Sequence, residues 1–207
     1  MNIYFLTGMP RAGNTLFGSL MNQNPNIKVS PNSLNALLLR NIINIKHEQL
    51  FKNFPDYKGI DNVVDNFFNN YYKHYNCKNI LDRAPWGHPE YHLFLQDVIK
   101  DRKYVILYRP FLEVLSSFVI KDKPDDVENY CYKIIQGQHA SVIMDNLISI
   151  ENIVKTKQNY VLINYKDLVN EPDVQLKKVC SFLKITVVED ILPESIINKY
   201  KNFDVRF

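Results

Sequence analysis

The chain is poor in the residues that build covalent or metal-bound frameworks. Its three cysteines, Cys77, Cys131 and Cys180, are widely separated, and they show none of the paired spacings that zinc sites use. We therefore expect no metal site. We also expect the three thiols to be reduced and buried, as is usual in a cytoplasmic protein.

Long hydrophobic runs are missing as well. No apolar stretch reaches the roughly 18–20 residues that a membrane-spanning helix needs. The first apolar run starts at Ile3, which leaves no room before it for the basic and apolar segments of a signal peptide. We expect a cytoplasmic protein with no membrane contact.

Neither sign of charge dominates. The 25 lysines and arginines against 22 aspartates and glutamates give a net charge of +3, whereas a nucleic-acid-binding protein needs a concentrated basic face. We therefore expect no nucleic-acid partner, and the mild positive charge suits an acidic small molecule. A length of 207 residues with 46% hydrophobic content fits one globular domain over residues 1–207.

Short apolar segments alternate with amphipathic ones along the chain. The strands that we predict are Ile3–Thr7, Ile27–Val29, Asn79–Asp82, Lys103–Tyr108 and Tyr160–Asn164. The predicted helices are Thr15–Gln23, Ser33–Phe51, Ile60–Tyr75, Pro89–Lys100, Phe111–Ile120, a long region Asp125–Thr156 broken near Gly137, Pro172–Leu183 and Pro193–Tyr200. This alternation indicates an α/β fold in which helices cover both faces of a central parallel sheet.

Four side chains that can bind anions or aromatic rings follow predicted strands directly. They are Arg11, Arg83, Arg109 and Tyr165. Ligands of parallel sheets bind at the carboxyl ends of the strands. We therefore expect these four side chains to meet at one rim of the sheet.

The segment Gly8-Met9-Pro10-Arg11-Ala12-Gly13-Asn14-Thr15 has the outline of a phosphate-binding loop between a strand and a helix. Backbone N–H groups and the positive end of the helix would hold phosphate there. Asn14, however, stands where nucleotide triphosphatases carry the lysine that grips the β- and γ-phosphates of ATP. The nearest cation is Arg11, so the loop predicts an anionic donor other than ATP.

Three blocks of the sequence resemble those of the sulfotransferases that use 3′-phosphoadenosine 5′-phosphosulfate (PAPS). Pro10–Leu16 is similar to the 5′-phosphosulfate loop of that family. Tyr104–Arg109, with Ser117 eight residues later, is similar to its 3′-phosphate block, and Asn164–Pro172 is similar to its Tyr-Glu-Asp-Leu segment. The resemblance covers nearly the whole chain and implies a three-layer α/β/α fold, related to that of the P-loop nucleotide triphosphatases.

The resemblance also implies how the donor is bound. PAPS would be the donor and adenosine 3′,5′-bisphosphate (PAP) the product, without a metal. Arg109 and Ser117 would hold the 3′-phosphate, and Tyr165 would stack on the adenine. The residues that would bind the donor are Arg11, Ala12, Gly13, Asn14, Thr15, Leu16, Arg109, Ser117 and Tyr165.

For catalysis, the resemblance implies an in-line displacement. Arg11 would stabilise the bridging oxygen as the leaving 5′-phosphate forms, and Arg83 matches a position, usually lysine, that contacts the transferring sulfonate. The acceptor would be a hydroxyl or amine on a small molecule, a sugar or a peptide. Residues 32–76 and 122–155 would form its walls.

Two parts of the family pattern are missing. Leu112 stands where a second arginine of the 3′-phosphate site is expected. The C-terminal Arg-Lys-Gly segment is also absent, although Lys199, Lys201 or Arg206 could replace it.

The general bases of the family are absent too, because Pro31-Asn32-Ser33 replaces a glutamate and Pro85 replaces a histidine. A neutral imidazole can take a hydroxyl proton. We therefore predict His88, close after Arg83, as the catalytic base, with His92 and Asp82 as the next candidates; the alternative that no side chain acts as the base stays open.

Two other interpretations stay open. A small-molecule kinase would use Asp82 at the end of its strand to bind magnesium, but it would lack the loop lysine. A non-catalytic descendant, which binds the nucleotide or nothing and acts through a partner, is suggested by the missing base and by Leu112.

Overall fold

The computed structural model describes residues 1–137 and 140–187, without the side chains of Asp97 and Val142. The strands are β1 (Asn2–Gly8), β2 (Lys28–Asn32), β3 (Asn79–Arg83), β4 (Lys103–Tyr108) and β5 (Asn159–Asn164). All pair in parallel, in the order β2-β3-β1-β4-β5. The five predicted strands and the α/β fold with a central parallel sheet are thereby confirmed.

Helices connect the strands and cover the sheet. They are α1 (Asn14–Met21), α2 (Asn35–Asn44), α3 (Gln49–Asn53), α4 (Tyr57–Asp65), α5 (Phe67–Tyr71), α6 (Pro89–Val98), α7 (Phe111–Asp122), α8 (Val127–Gln136), α9 (Ala140–Lys155), α10 (Tyr165–Asn170) and α11 (Pro172–Leu183). The predicted helix at Pro193–Tyr200 lies outside the described residues.

Several predicted helices are interrupted. The predicted helix Ile60–Tyr75 is divided at Asn66, whose side-chain amide donates to the carbonyl oxygen of Asn62 at 3.0 Å. Asparagine favours helix ends because its side chain competes for backbone hydrogen bonds. The predicted helix Ser33–Phe51 is likewise divided, after Asn44, whereas the predicted break near Gly137 is confirmed.

The sheet is buried on both faces, as expected for a parallel sheet covered by helices. Phe5 and Leu6 are adjacent on β1, point to opposite faces and are fully buried. Leu6 belongs to a core with Phe17 of α1. Phe5 belongs to the other core, where its ring centre lies 5.2 Å from that of Trp86 and 6.1 Å from that of Phe68. These two cores give the three layers of the fold.

The cysteines are all free, but only Cys180 is buried. Cys77 and Cys131 are partly exposed, so the expectation that all three are buried is wrong. Within the described residues, no helix is both long enough and apolar enough to cross a bilayer.

His92, a buried residue of α6, points into the core. Its Nδ1 lies 3.3 Å from the hydroxyl oxygen of Tyr104 on β4. Burial lowers the pKa of this imidazole, and the charge of Arg102 lowers it further. The folded chain therefore holds His92 neutral at a pH where the unfolded chain protonates it.

This difference predicts a pH-dependent stability that a His92→Gln variant should lack. The stabilising contribution of neutral His92 is complete above the ordinary histidine pKa of about 6.5, and it is lost as the pH falls from there to the lowered pKa. The free energy of unfolding in urea should therefore fall less steeply for the variant than for the wild type between about pH 8 and about pH 5. Parallel pH profiles would contradict the assignment.

Candidate active site

The loop between β1 and α1 turns through two residues in the left-handed region. Arg11 has a φ of 65° and Gly13 a φ of 87°. Gly13 precedes α1, and no side chain caps that helix. The N–H groups at the start of α1 are therefore left for a ligand, at the positive end of the helix dipole.

The ring of Tyr165 lies directly against this loop. A methyl group added at Gly13 would come within 2.5 Å of Cδ2 of Tyr165. Tyr165 is the first residue of α10, directly after β5, and the side chain of Asn164 caps that helix by accepting from the N–H of Lys166 at 2.9 Å. Gly13 is therefore required by the close approach of the ring as well as by its backbone conformation.

Arg109 connects the loop, the tyrosine and the helix that follows β4. Its guanidinium carbon lies 4.2 Å from the ring centre of Tyr165, and its Nη1 donates to the carbonyl oxygen of Arg11 at 3.2 Å. Its Nε also donates to Oε2 of Glu113 at 3.3 Å, and the residue is buried. The guanidinium therefore occupies one face of the Tyr165 ring.

Arg11 itself is exposed, and its Nε donates to Oγ of the buried Ser117 at 3.0 Å. The structure thus brings Arg11, Ser117, Arg109 and Tyr165 together over the carboxyl ends of β1, β4 and β5. We call this cluster the arginine side of the rim.

The remaining side chains of the loop divide between interior and surface. Ala12 and Asn14 are buried; the N–H of Ala12 and Nδ2 of Asn14 both donate to the carbonyl oxygen of Met9, at 3.1 Å and 2.8 Å. Leu16 packs against the core, and only Thr15 is exposed at the start of α1. Asn14 therefore stabilises the loop from the protein interior. The lysine that nucleotide triphosphatases carry at this position would instead point outward to the phosphates.

A cavity of about 390 Å³ lies on the other side of β1. It opens at the carboxyl ends of β1, β2 and β3 and is bounded on one side by α9. Its polar lining comprises Thr7, Asn32, Ser33, Arg83, Asp145 and Asn146. We call it the acceptor cavity after the sequence-based expectation that residues 32–76 and 122–155 would form the acceptor walls; its size suits a small organic molecule.

Arg83 is the last residue of β3 and forms one wall of the acceptor cavity. Burial lowers the pKa of its guanidinium, but an arginine remains charged at neutral pH. Among the described residues no carboxylate pairs with it. Its positive charge is therefore available to an anionic group that enters the cavity.

The three bases predicted from the sequence lie elsewhere. His88 precedes α6 and does not line the cavity; its Nδ1 is buried and has no hydrogen-bond partner among the described residues. His92 points into the core. Asp82 is fully buried, and burial raises the pKa of its carboxyl, which accepts from Nδ2 of Asn35 at 2.7 Å.

Asp145, unlike the three predicted bases, lines the acceptor cavity. It is exposed on α9 and is the one carboxylate among the described residues that line the acceptor cavity. No sequence motif distinguished it from the other charged residues of that helix.

Two further expectations concern ions. Among the described residues, no three His, Cys, Asp or Glu side chains come close enough together to hold a metal. Lys199, Lys201 and Arg206, which could complete the 3′-phosphate site, lie outside the described residues, and the side chain of Leu112 is 76% exposed.

Comparison with solved structures finds the same architecture. A sulfotransferase from Alicyclobacillus acidocaldarius shares 11% identity at a TM-score of 0.62, over 99% of this chain and 92% of that one. A sulfotransferase domain from the curacin biosynthetic pathway shares 17% identity at a TM-score of 0.61, over 92% of this chain and 76% of that one. A mouse sulfotransferase complexed with PAP shares 15% identity at a TM-score of 0.55, over 97% of this chain and 64% of that one.

At these identities the structural similarity shows the fold alone. No curated protein matches the chain significantly. A family model described as the sulfotransferase domain, however, matches residues 3–207. Because this match extends over nearly the whole sequence, the chain belongs to the sulfotransferase family.

Proposed function

We propose that the chain, acting as one domain over residues 1–207, transfers a sulfuryl group from PAPS to a hydroxyl or amine acceptor. The observation that carries the proposal is the loop after β1. It combines an uncapped helix start with an outward-facing Arg11, while Asn14 faces inward and is bonded to Met9. Such a loop can hold a phosphosulfate through backbone N–H groups without the lysine that ATP requires.

The arginine side of the rim would bind the donor. The backbone N–H groups of Gly13 to Thr15 would hold the 5′-phosphosulfate. Arg109 would bind the 3′-phosphate, since its known contacts use Nε and Nη1 and leave Nη2 without a partner among the described residues. Ser117 would assist once its contact with Arg11 is released.

In the transfer itself, an acceptor oxygen or nitrogen attacks sulfur, and the bond from sulfur to the bridging oxygen breaks. Arg11 would stabilise the negative charge that develops on that oxygen, which is an electrostatic contribution of a preorganised cation. Arg83, on the opposite side of β1, would balance the charge of the sulfonate oxygens. The end of β3 positions Arg83, and the loop after β1 positions Arg11. Little reorganisation of the backbone at these two residues is therefore needed for the reaction.

The alternative of a kinase is disfavoured by two residues. Asp82, which would bind magnesium, is fully buried and held by Asn35. Position 14 carries a buried asparagine in place of the phosphate-binding lysine. The non-catalytic alternative is disfavoured by Arg83, because this cation lines the cavity without a carboxylate partner among the described residues, where it could contact a transferring sulfonate.

The proposal is tested by calorimetric titration with PAP, with AMP and with ATP in the presence of magnesium. We expect PAP to bind at least about tenfold more tightly than AMP, because charge-assisted hydrogen bonds to the 3′-phosphate contribute about 1.5–3 kcal/mol. Tighter binding of ATP with magnesium would favour a kinase. No binding of any of the three would favour a non-catalytic protein.

The role of Arg11 is tested by replacing it with alanine and, as a matched control, with lysine. Arg11→Ala should lower the rate of PAP release from PAPS by about 10²–10³-fold, as expected for the loss of one group that stabilises a developing oxyanion. Arg11→Lys keeps the charge and should retain more of the activity. The affinity for PAP should change much less than the rate, and equal rates for Arg11→Ala and the wild type would refute the assignment.

Gly13 and Gly18 give a matched pair of glycine-to-alanine variants. Gly13→Ala places a methyl group against Tyr165 and forces a left-handed alanine, so it should cost at least about 1–2 kcal/mol of stability and weaken PAP binding. A methyl group at Gly18 in α1 meets Val29 at an ordinary 3.5 Å. Gly18→Ala should therefore leave both thermal unfolding and PAP affinity near those of the wild type, and a similar loss in both variants would contradict the role given to Gly13.

A further inference from the structure

The proposed transfer needs a group that takes the proton of the acceptor, and none of the residues predicted for that task lies in the acceptor cavity. The cavity lining contains Pro85, which replaces the histidine implied by the family resemblance, and Asn32, from the segment Pro31-Asn32-Ser33 that replaces the implied glutamate. Neither side chain can accept a proton at neutral pH. The base must therefore come from another element.

The other carboxylates that flank the loop are already engaged. Glu113 accepts from Arg109 at 3.3 Å. Asp122 accepts a hydrogen bond from the hydroxyl of Tyr130 and lies 3.2 Å from Nζ of Lys121. Asp145 has no ion-pair partner among the described residues, and it lines the cavity.

The position of α9 at Asp145 follows from a close contact one helical turn away. Ser149 is buried, and its Oγ lies 3.1 Å from Oγ1 of Thr7 on β1 and accepts from the N–H of Gly87 at 2.9 Å. A methyl group at Gly87 would come within 2.3 Å of the carbonyl oxygen of Ser149, so helix and loop are in close contact. Residues four apart share a helix face, and Asp145 therefore projects from the face of α9 that rests on the end of β1.

Asp145 and Arg83 carry opposite charges on the walls of one cavity without forming an ion pair, among the residues the structure describes. The space between them can therefore admit the reacting groups. A sulfonate bears negative charge and would be drawn to Arg83. A hydroxyl or amine group can donate a hydrogen bond and would be drawn to Asp145.

We propose that Asp145 is the general base of this transfer. This assignment rests on the proposed function, because it names a group within that reaction. As the acceptor oxygen or nitrogen forms its bond to sulfur, the bond from sulfur to the bridging oxygen breaks and leaves its electron pair on the 5′-phosphate. The proton of the acceptor passes to the carboxylate of Asp145, which returns it to water after the product leaves.

The test compares Asp145→Asn with Asp145→Glu and with a control variant, Glu151→Gln. Glu151 is exposed on the same helix and pairs with Lys155 at 2.6 Å, outside the cavity, so the control makes the same change of charge. PAP release from PAPS is measured with water alone, with 4-methylphenol and with 4-nitrophenol as acceptor. Affinity for PAP is measured by calorimetry.

We expect Asp145→Asn to lower kcat at least about 10²-fold, as is usual for the loss of a general base, with unchanged PAP affinity. Glu151→Gln should change neither quantity, and Asp145→Glu should recover part of the rate. The loss should be larger for 4-methylphenol, which keeps its proton at neutral pH, than for 4-nitrophenol, which is readily ionised and needs no base. A merely structural role would not produce this difference between the acceptors.

Three results would overturn the assignment. They are an unchanged kcat in Asp145→Asn, a rise in the acceptor KM with kcat preserved, and equal losses with both phenols. Failure of the proposed function itself is recognised separately, because the wild type would then release no PAP with any acceptor.

Discussion

Gly13 and the ring of Tyr165 lie so close that no side chain could stand between them, and this contact joins the loop after β1 to the start of α10. Tyr165 follows β5, and Arg109, which follows β4, lies on its ring and holds the carbonyl oxygen of Arg11. The loop after β1, the central strand, is thereby held by side chains that follow β4 and β5. A loop held in this way presents backbone N–H groups in a fixed geometry, which is what a phosphate-binding site without a lysine needs.

The strand order separates the rim into two parts. The loop after β1 lies at the middle of the sheet, with β4 and β5 on one side and β3 and β2 on the other. The arginine side uses the first pair of strands, and the acceptor cavity uses the second. An in-line displacement requires the attacking and leaving atoms on opposite sides of sulfur. Arg11 and Arg83, on opposite sides of β1, are arranged for that demand.

Much of this fold could be predicted from the sequence, but the full lining of the acceptor cavity could not. The bounds of β4 were predicted correctly, because its central residues Tyr104–Leu107 are a continuous apolar run of the kind that parallel sheets bury. The position of Arg109 followed from the end of that strand, whereas its contact with Tyr165 depends on the pairing of β4 with β5. His88 was predicted because it is near Arg83 in sequence, yet only residues 84 and 85 of that connection reach the cavity. Asp145 looks like any exposed helical carboxylate until the docking of α9 on β1 is known.

The measurement that tests the account most directly is a crystal structure of the chain with PAP bound. The account predicts the 5′-phosphate on the N–H groups at the start of α1, the 3′-phosphate at Arg109 and Ser117, and the adenine beside Tyr165. The cavity between Arg83 and Asp145 should remain open for an acceptor. A nucleotide that instead filled this cavity, or that left the loop without phosphate, would contradict the division of the rim into a donor side and an acceptor side.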